Sequence, residues 1–441
     1  MTTPVDAQLE HVLLTVILQL LVIIASARVA GAVFRFFGQP LVCGEIAAGL
    51  ILGPSFFGGL FPTLFQTVFD PSVGSILSVL SQIGLILLMF LIGQDFEFGH
   101  LREHGRVAIS ISAAGIVLPF ALGLLVGWLI HAQLGLQVSR FNFCLFIATA
   151  LSITAIPILG RMMMELNINR TRIGSLTITA AALDDVSGWI ILALVTAIAR
   201  SQFRPMQSAL MLLETAGYGL FMVYVARPFL KRWARSAVRH GQGELTLNGL
   251  AILLILMFTS AAITNLIGIF SIFGAFILGA VLFDEVEFRD AVRRSLRDFV
   301  MVFFLPIFFT YTGLRTDIGT MQGGLLWGLC GLVLLAAIAG KLGGCMAAAL
   351  TSGLPVREAS IIGVLMNTRA LMELIVINIG FDLGIIPKSV FFMLVFMAVV
   401  TTYMTVPILR FLIGKSELEA HYRASELAKV GGRRWLSVSE Q

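Results

Sequence analysis

Residues 175–199 read SLTITAAALDDVSGWIILALVTAIA, an apolar run that carries two adjacent carboxylates, Asp184 and Asp185, near its middle. The run is long enough to cross a bilayer, for which about 20 residues suffice. One charged residue at the centre of a membrane helix costs about 2.5–3.5 kcal/mol on insertion scales. Two neighbouring carboxylates add mutual repulsion, so near neutral pH at least one must be protonated or neutralised by a cation. Acidic residues at that depth are functional by default.

The rest of the chain matches this reading. Of its 441 residues, 58% are hydrophobic and only 12% are charged, and the mean hydropathy is +0.95. A soluble domain carries about a quarter charged residues. The N-terminal MTTPVDAQLEH lacks the basic segment of a cleaved signal peptide, so the first apolar run is expected to remain as a span. Cys43, Cys144, Cys330 and Cys345 are scattered through apolar segments and suggest neither a disulfide framework nor a zinc site. His100-Leu101-Arg102-Glu103-His104 fits H-x-x-E-H, a zinc-hydrolase pattern. It lies in a short linker with no soluble domain to complete a site, and reads as a basic loop.

Apolar runs of about bilayer length predict thirteen spans, at 11–34, 40–59, 76–94, 106–130, 142–164, 173–199 and 207–226, then 247–267, 270–284, 298–314, 324–350, 358–380 and 389–413. The boundary between the eighth and ninth, within ITNLIGIF (263–270), is the least defined. A β-barrel is excluded, since its strands alternate in character over only about ten residues. Of the 30 Lys and Arg residues, only Arg140, Arg200, Arg204, Arg315 and Lys388 fall in one set of alternating linkers. Arg28 lies near the inner end of the first span, Lys341 and Arg369 lie well inside spans, and all the others fall in the opposite linkers, at the span ends beside them, or in the tail. That bias predicts the N-terminus outside and the C-terminus in the cytoplasm. Residues 1–414 are thus expected to form one membrane domain: one repeat over 11–200, a linker helix over 205–226, a second repeat over 245–413, and a tail over 415–441.

At 1.5 Å per residue, Asp184 lies about 18 Å beyond Arg172, while Lys341 and Glu373 each lie about 24 Å from Arg357. All three therefore fall near the midplane, on the sixth, eleventh and twelfth spans. The fifth span contains TALSITAIP (149–157). Pro157 lacks a backbone donor and clashes with the preceding turn, which predicts a kink or an unwound stretch. Freed carbonyls and the hydroxyls of Ser152 and Thr154 would then offer oxygen ligands to a small cation. Seven spans later, MNTRALME (366–373) is also polar in mid-span. An odd offset of seven reverses direction in the membrane, as an inverted-topology repeat requires. This second break is expected to be the weaker, because no proline precedes Pro387.

Lys341 offsets one of the two aspartate charges and leaves about one negative charge, for which a proton and a metal cation can compete. Such competition, combined with access from each side in turn, is exchange. Arg369 and Glu373, four apart, can neutralise each other. Glu45 can line an entrance or bond a neighbouring helix. An intramembrane aspartyl protease would need its carboxylates on different helices, whereas adjacent residues on one helix point about 100° apart. An ion channel would need a ring of carbonyls or charges, and no such loop is evident.

At these residues the chain resembles the monovalent cation:proton antiporters, in the branch of bacterial sodium/proton exchangers, Kef-type systems and plant cation/proton exchangers. The resemblance is carried by QPLVCGEIAAGLILGPS (39–55), IGLILLMFLIGQDFE (83–97), TALSITAIPIL (149–159), AALDDVSGWI (181–190), SIFGAFILGAVL (271–282), FFLPIFFTYTGLRTDI (303–318), GKLGG (340–344) and MNTRALMELIVINIG (366–380). It implies an all-α polytopic membrane protein with inverted repeats, broken crossing helices, and a core of spans 4–6 and 11–13 beside a dimerisation domain. It implies exchange of a monovalent cation for protons by elevator-type alternating access in a homodimer of the plasma (inner) membrane, serving pH homeostasis. Asp185 would carry the ion or proton, Asp184 would pair with Lys341, and Ser152 and Thr154 would contribute ligands. Thr149, Glu373, Arg369 and Glu45 are accessory candidates. The Asp-Asp pair favours electrogenic sodium exchange, with lithium as a further substrate; the alternative is potassium/proton exchange, including an electroneutral form. The N-T-R-A-L-M-E stretch departs from the Pro-Arg-Gly-Glu-like motif of many sodium-type members. No cofactor, enzymatic activity, nucleic-acid partner or nucleotide-binding domain is expected.

Overall fold

The structure is a computed structural model that describes residues 4–70, 73–94, 101–154, 156–165, 168, 171–200, 205–369 and 371–413. Among these residues every regular element is a helix. The first half contains α1 (Pro4–Phe36), α2 (Leu41–Ile51), α3 (Gly74–Gln94), α4 (Leu101–Leu134), α5 (Arg140–Ser152), α6 (Ile156–Glu165) and α7 (Arg172–Arg200). Then follow α8 (Pro205–Phe221) and α9 (Arg227–His240), joined by a π-helical turn at Met222–Ala226. The second half contains α10 (Leu247–Ile267), α11 (Ser271–Val281), α12 (Leu305–Arg315), α13 (Gly324–Ile338), α14 (Gly344–Thr351), α15 (Val356–Met366), α16 (Leu371–Asp382) and α17 (Lys388–Ile413). Short helical segments at Phe57–Leu60, Pro62–Val68 and Val286–Val292, a 3₁₀ turn at Ile318–Thr320 and three further π-helical segments complete the helices of the described residues.

Among the described residues, seven helices are long and apolar enough to cross a membrane, or nine if each of two bent pairs is one span. These full-length crossings are fewer than the thirteen expected because several predicted spans are built from shorter helices. The second and ninth are helices of 11 residues each, α2 and α11. The second ends at Ile51 because Gly53-Pro54 follows, and a residue before proline is pushed out of helical backbone. Within ITNLIGIF the boundary falls at Gly268, whose φ of 104° ends α10 in the left-handed conformation that glycine adopts without strain. The basic stretch after residue 226 is helix α9 rather than a loop. Its Leu230, Ala234 and Val238 recur every four residues and are buried. The H-x-x-E-H stretch is only partly described: His100 lies outside the described residues, and the backbone from Leu101 onward begins α4 instead of a linker.

The chain divides into two compact units, each drawn from both halves of the sequence. One comprises Met1–Phe98, Trp189–Trp327 and Asn378–Phe392; the other comprises Gly99–Gly188, Gly328–Ile377 and Met393–Gln441.

In the first unit, α2 packs on α1 and α12, while α11 packs on α10 and α3. Both cross-packings close at glycines. A Cβ on Gly313 would run into the Gly49 backbone, and one on Gly49 into Phe309. A Cβ on Gly279 would meet Phe90 and Gly93, and one on Gly93 would meet Phe276 and Gly279. Each half thus lends its short helix to the third helix of the other half, by the same glycine device. This is the packing expected of an inverted repeat, and small residues are what let helix backbones approach in a membrane.

In the second unit, α4 packs on α5 and α14, and α14 on α15. Its apolar core includes Ile111, Leu159, Leu176, Ala180, Cys345, Ile362 and Leu409.

Candidate functional site

The second unit contains the two broken helices. α5 stops at Ser152, Ile153 is extended with φ −79° and ψ 147°, and α6 resumes at Ile156. Pro157 is therefore the second residue of a helix, where its missing N–H has no helical partner to lose. The other break follows Met366: Asn367 caps α15 and α16 starts at Leu371, with a 42° bend between them. The second break is as complete as the first although no proline causes it. Side chains bind the backbone on either side of it: the Thr154 hydroxyl lies 3.4 Å from the Met366 carbonyl and the Thr402 hydroxyl donates to the Arg369 carbonyl.

Asp184, Asp185 and Lys341 are all 0% exposed, and Ser152 and Thr154 are 1% exposed. Asp184 Oδ2 accepts from both Lys341 Nζ and the Thr154 hydroxyl. Lys341 Nζ donates further to the Ser152 carbonyl and, at 2.9 Å, to the Gly115 carbonyl. All three ammonium protons are therefore in use, and Asp184 is neutralised by an ion pair plus a hydroxyl. Lys341 lies within a π-helical turn, Ala339–Gly343, between α13 and α14. Such single π turns are frequent at functional positions because they re-aim one side chain within a continuous helix. Asp185 follows Asp184 on α7 and points about 100° away from it around the helix.

The other expected residues divide. The Ser152 hydroxyl donates to Thr149 O at 3.0 Å and the Thr149 hydroxyl to Leu145 O at 2.7 Å, so both are bonded within α5. The carbonyls at the end of α5, read from sequence as free cation ligands, already have partners. Arg369, 0% exposed, donates to Ala150 O at 3.1 Å, Leu151 O at 2.6 Å and Ala337 O at 3.3 Å. Its Nη1 lies 3.4 Å from Glu373 Oε1, so the expected internal pair does form. The Arg369 carbonyl in turn accepts from the Thr402 hydroxyl of α17. Glu45 is in the first unit, on α2, where it pairs with Arg28 at 3.2 Å.

Sequence reading missed Asn367, Thr368 and Thr402. All three are at most 1% exposed, and Thr368 Oγ1 lies 3.3 Å from Thr405 Oγ1. The available signal was the cluster N-T-R within an apolar span, which drew attention only to the arginine.

A core of crossed half-helices around a buried carboxylate–lysine pair defines a membrane ion carrier. The transmembrane family model of the sodium/hydrogen exchangers matches residues 23–413. The Na(+)/H(+) antiporter NhaS4 of Synechocystis sp. is 40% identical over 403 residues, covering 90% of this chain and 97% of that protein. Cation/H(+) antiporter 17 of Arabidopsis thaliana is 37% identical over 419 residues, covering 94% of this chain but only 50% of that protein. The solved sodium proton antiporter MjNhaP1 of Methanocaldococcus jannaschii matches with a TM-score of 0.62 at 14% identity, over 92% of this chain and 98% of that one, a likeness of fold. The chain belongs to the sodium/hydrogen exchanger family and is a multi-pass membrane cation/proton antiporter.

Proposed function

We propose that the protein exchanges sodium for protons at Asp185, with Asp184 and Lys341 as the adjoining charge pair, and that the exchange is electrogenic. The observation that carries this is the sharing of Asp184 Oδ2 between Lys341 and Thr154 at full burial, with a second fully buried carboxylate next to it on the helix. The Asp184–Lys341 pair is neutral as it stands. The remaining negative charge belongs to Asp185 and is satisfied by either a proton or a cation, which makes the two mutually exclusive. Exchange through Asp185 alone moves one proton per cation. A second proton moves if the cation displaces Lys341 from Asp184. The second proton in that case is one carried by the Lys341 ammonium. Charge then moves in each cycle and the membrane voltage drives it.

Ser152 and Thr154 supply oxygens at the break in this reading, and Arg369 with Glu373 holds the crossing. Thr149 and Glu45 are assigned packing roles. The transporter works as a homodimer in the plasma membrane, N-terminus outside, the site-bearing unit moving by an elevator-type step. The sodium choice draws support from the 40% identity to a protein named as a Na(+)/H(+) antiporter.

The test uses purified protein in liposomes loaded with a pH-sensitive dye, with sodium, potassium or lithium added under clamped or free voltage. Sodium-driven proton movement that changes with voltage is expected. A potassium response indifferent to voltage would replace this reading with electroneutral potassium/proton exchange and reduce Lys341 to a structural ion.

A further inference from the structure

The two helix breaks are electrically unlike. Each leaves the carbonyl end of a half-helix buried, and such an end carries about half a negative charge. At the end of α5 that charge is met by two cations, Arg369 on Ala150 and Leu151 and Lys341 on Ser152. α15 ends at Met366, and among the described residues no lysine or arginine reaches that carbonyl. The Thr154 hydroxyl approaches it instead, at 3.4 Å, and the same hydroxyl donates to Asp184.

Beside Met366 stands Asn367, 1% exposed. Neither Oδ1 nor Nδ2 of its amide has a hydrogen-bond partner among the described residues. Burying an amide without partners is costly, and the great majority of buried polar side chains are bonded. The amide oxygen is a two-lone-pair acceptor, and carbonyl oxygens are what replace the hydration shell of an alkali cation in dry protein. A helix end of negative sign and a buried carbonyl ligand therefore coincide, one hydroxyl away from Asp184.

We propose that Asn367 Oδ1 and the Met366 carbonyl form a cation subsite at the end of α15, and that Asn367 is a ligand that sets cation affinity and selectivity. The inference rests on the antiporter reading above. It places the cation against the half-helix that no lysine or arginine caps among the described residues, while Lys341 and Arg369 occupy the terminal carbonyls of the other.

Wild type, Asn367→Ala and Asn367→Asp are compared in proteoliposomes for the apparent KM of sodium, lithium and potassium at fixed pH. Cation-induced thermal stabilisation is measured in detergent alongside. Asn367→Ala is expected to raise the apparent cation KM about tenfold, equivalent to about 1.4 kcal/mol, and to change the ratio of the three KM values. Asn367→Asp, which keeps an oxygen there, is expected to restore affinity. An Ala variant with all three KM values within twofold of wild type overturns the subsite, and means that Asn367 is satisfied by water and serves structure alone. Wild-type protein that exchanges none of the three cations overturns the antiporter site assignment as well, a distinct result. Should the Ala variant fail to fold, Asn367→Leu, which keeps the volume but removes the oxygen, is read by the same criteria.

Discussion

Lys341 and Arg369 share out the carbonyl end of a single half-helix: Arg369 takes Ala150 and Leu151, and Lys341 takes Ser152. Both are 0% exposed, on segments 28 residues apart in the chain. Their partners differ, however. Arg369 completes its coordination with Glu373, four residues further on in α16, whereas Lys341 completes its own with Asp184. One cation is thus tied into local structure and the other is tied to the ion site.

Asp185→Asn is expected to abolish exchange while the protein still inserts and purifies as wild type does. The amide keeps shape and hydrogen-bonding capacity but cannot carry the exchanged charge. Dye-reported proton movement should fall to the level of protein-free liposomes, and full retained activity would remove Asp185 from the mechanism.

Lys341→Ala is expected to act on coupling more than on folding. Removing one partner of a buried pair costs about 3–5 kcal/mol when the other charge stays, but Asp184 can take a proton and keep its Thr154 hydroxyl contact. Voltage dependence of the sodium response should disappear while the protein remains intact by size-exclusion chromatography. Charge movement per ion equal to that of wild type would count against the role.

Arg369 behaves differently. Arg369→Ala takes a donor from three carbonyls and leaves Glu373 buried without its ion-pair partner, a loss of about 3–5 kcal/mol. Arg369→Lys should rescue little, because a single ammonium cannot reproduce a fork that spans Ala150, Leu151, Ala337 and Glu373. The measurement is thermal stability in detergent. A lysine variant as stable as wild type would show that charge alone suffices.

The glycine crossings make a paired prediction. Gly313→Ala should destabilise the protein severely, since the new Cβ would enter the Gly49 backbone, which cannot rotate away. Gly343→Ala is the control: nothing lies within 4 Å of its Cβ position. Expression and unfolding temperature of the two variants decide the matter, and equal behaviour would mean that the crossing is looser than drawn.

Outside the spans, Asp284 ties the turn after α11 to α9, accepting from Lys231 and, at 3.1 Å, from Arg227. Burial raises its pKa, but the Lys231 hydrogen bond and the charges of Lys231 and Arg227 outweigh that and hold it below the usual value. A depressed carboxylate pKa contributes stability above the unfolded value of about 3.9, and that contribution is lost as pH falls through the folded pKa. The stability difference between wild type and Asp284→Asn should therefore be present at neutral pH and vanish in acid. A difference that persists at low pH would assign the effect to packing.

The membrane class, the all-helical architecture and the burial of Asp184, Lys341 and Glu373 were legible in the chain. They follow from span length, charge bias and helical rise, quantities additive along a sequence. The proline-marked break in α5 was legible for the same reason, since Pro157 acts on its own backbone. Neither the full break after Met366 nor the occupancy of α5's carbonyls could be read in this way. Both depend on Arg369 reaching from the twelfth predicted span to the fifth, and on Thr402 binding the Arg369 carbonyl from the last helix. Such long-range hydrogen bonds bring together residues whose separation in sequence carries no information about their distance. The sequence alone determined which charges are buried; only the tertiary structure decided which carbonyls they neutralise and, at Asn367, which end of a helix they leave uncapped.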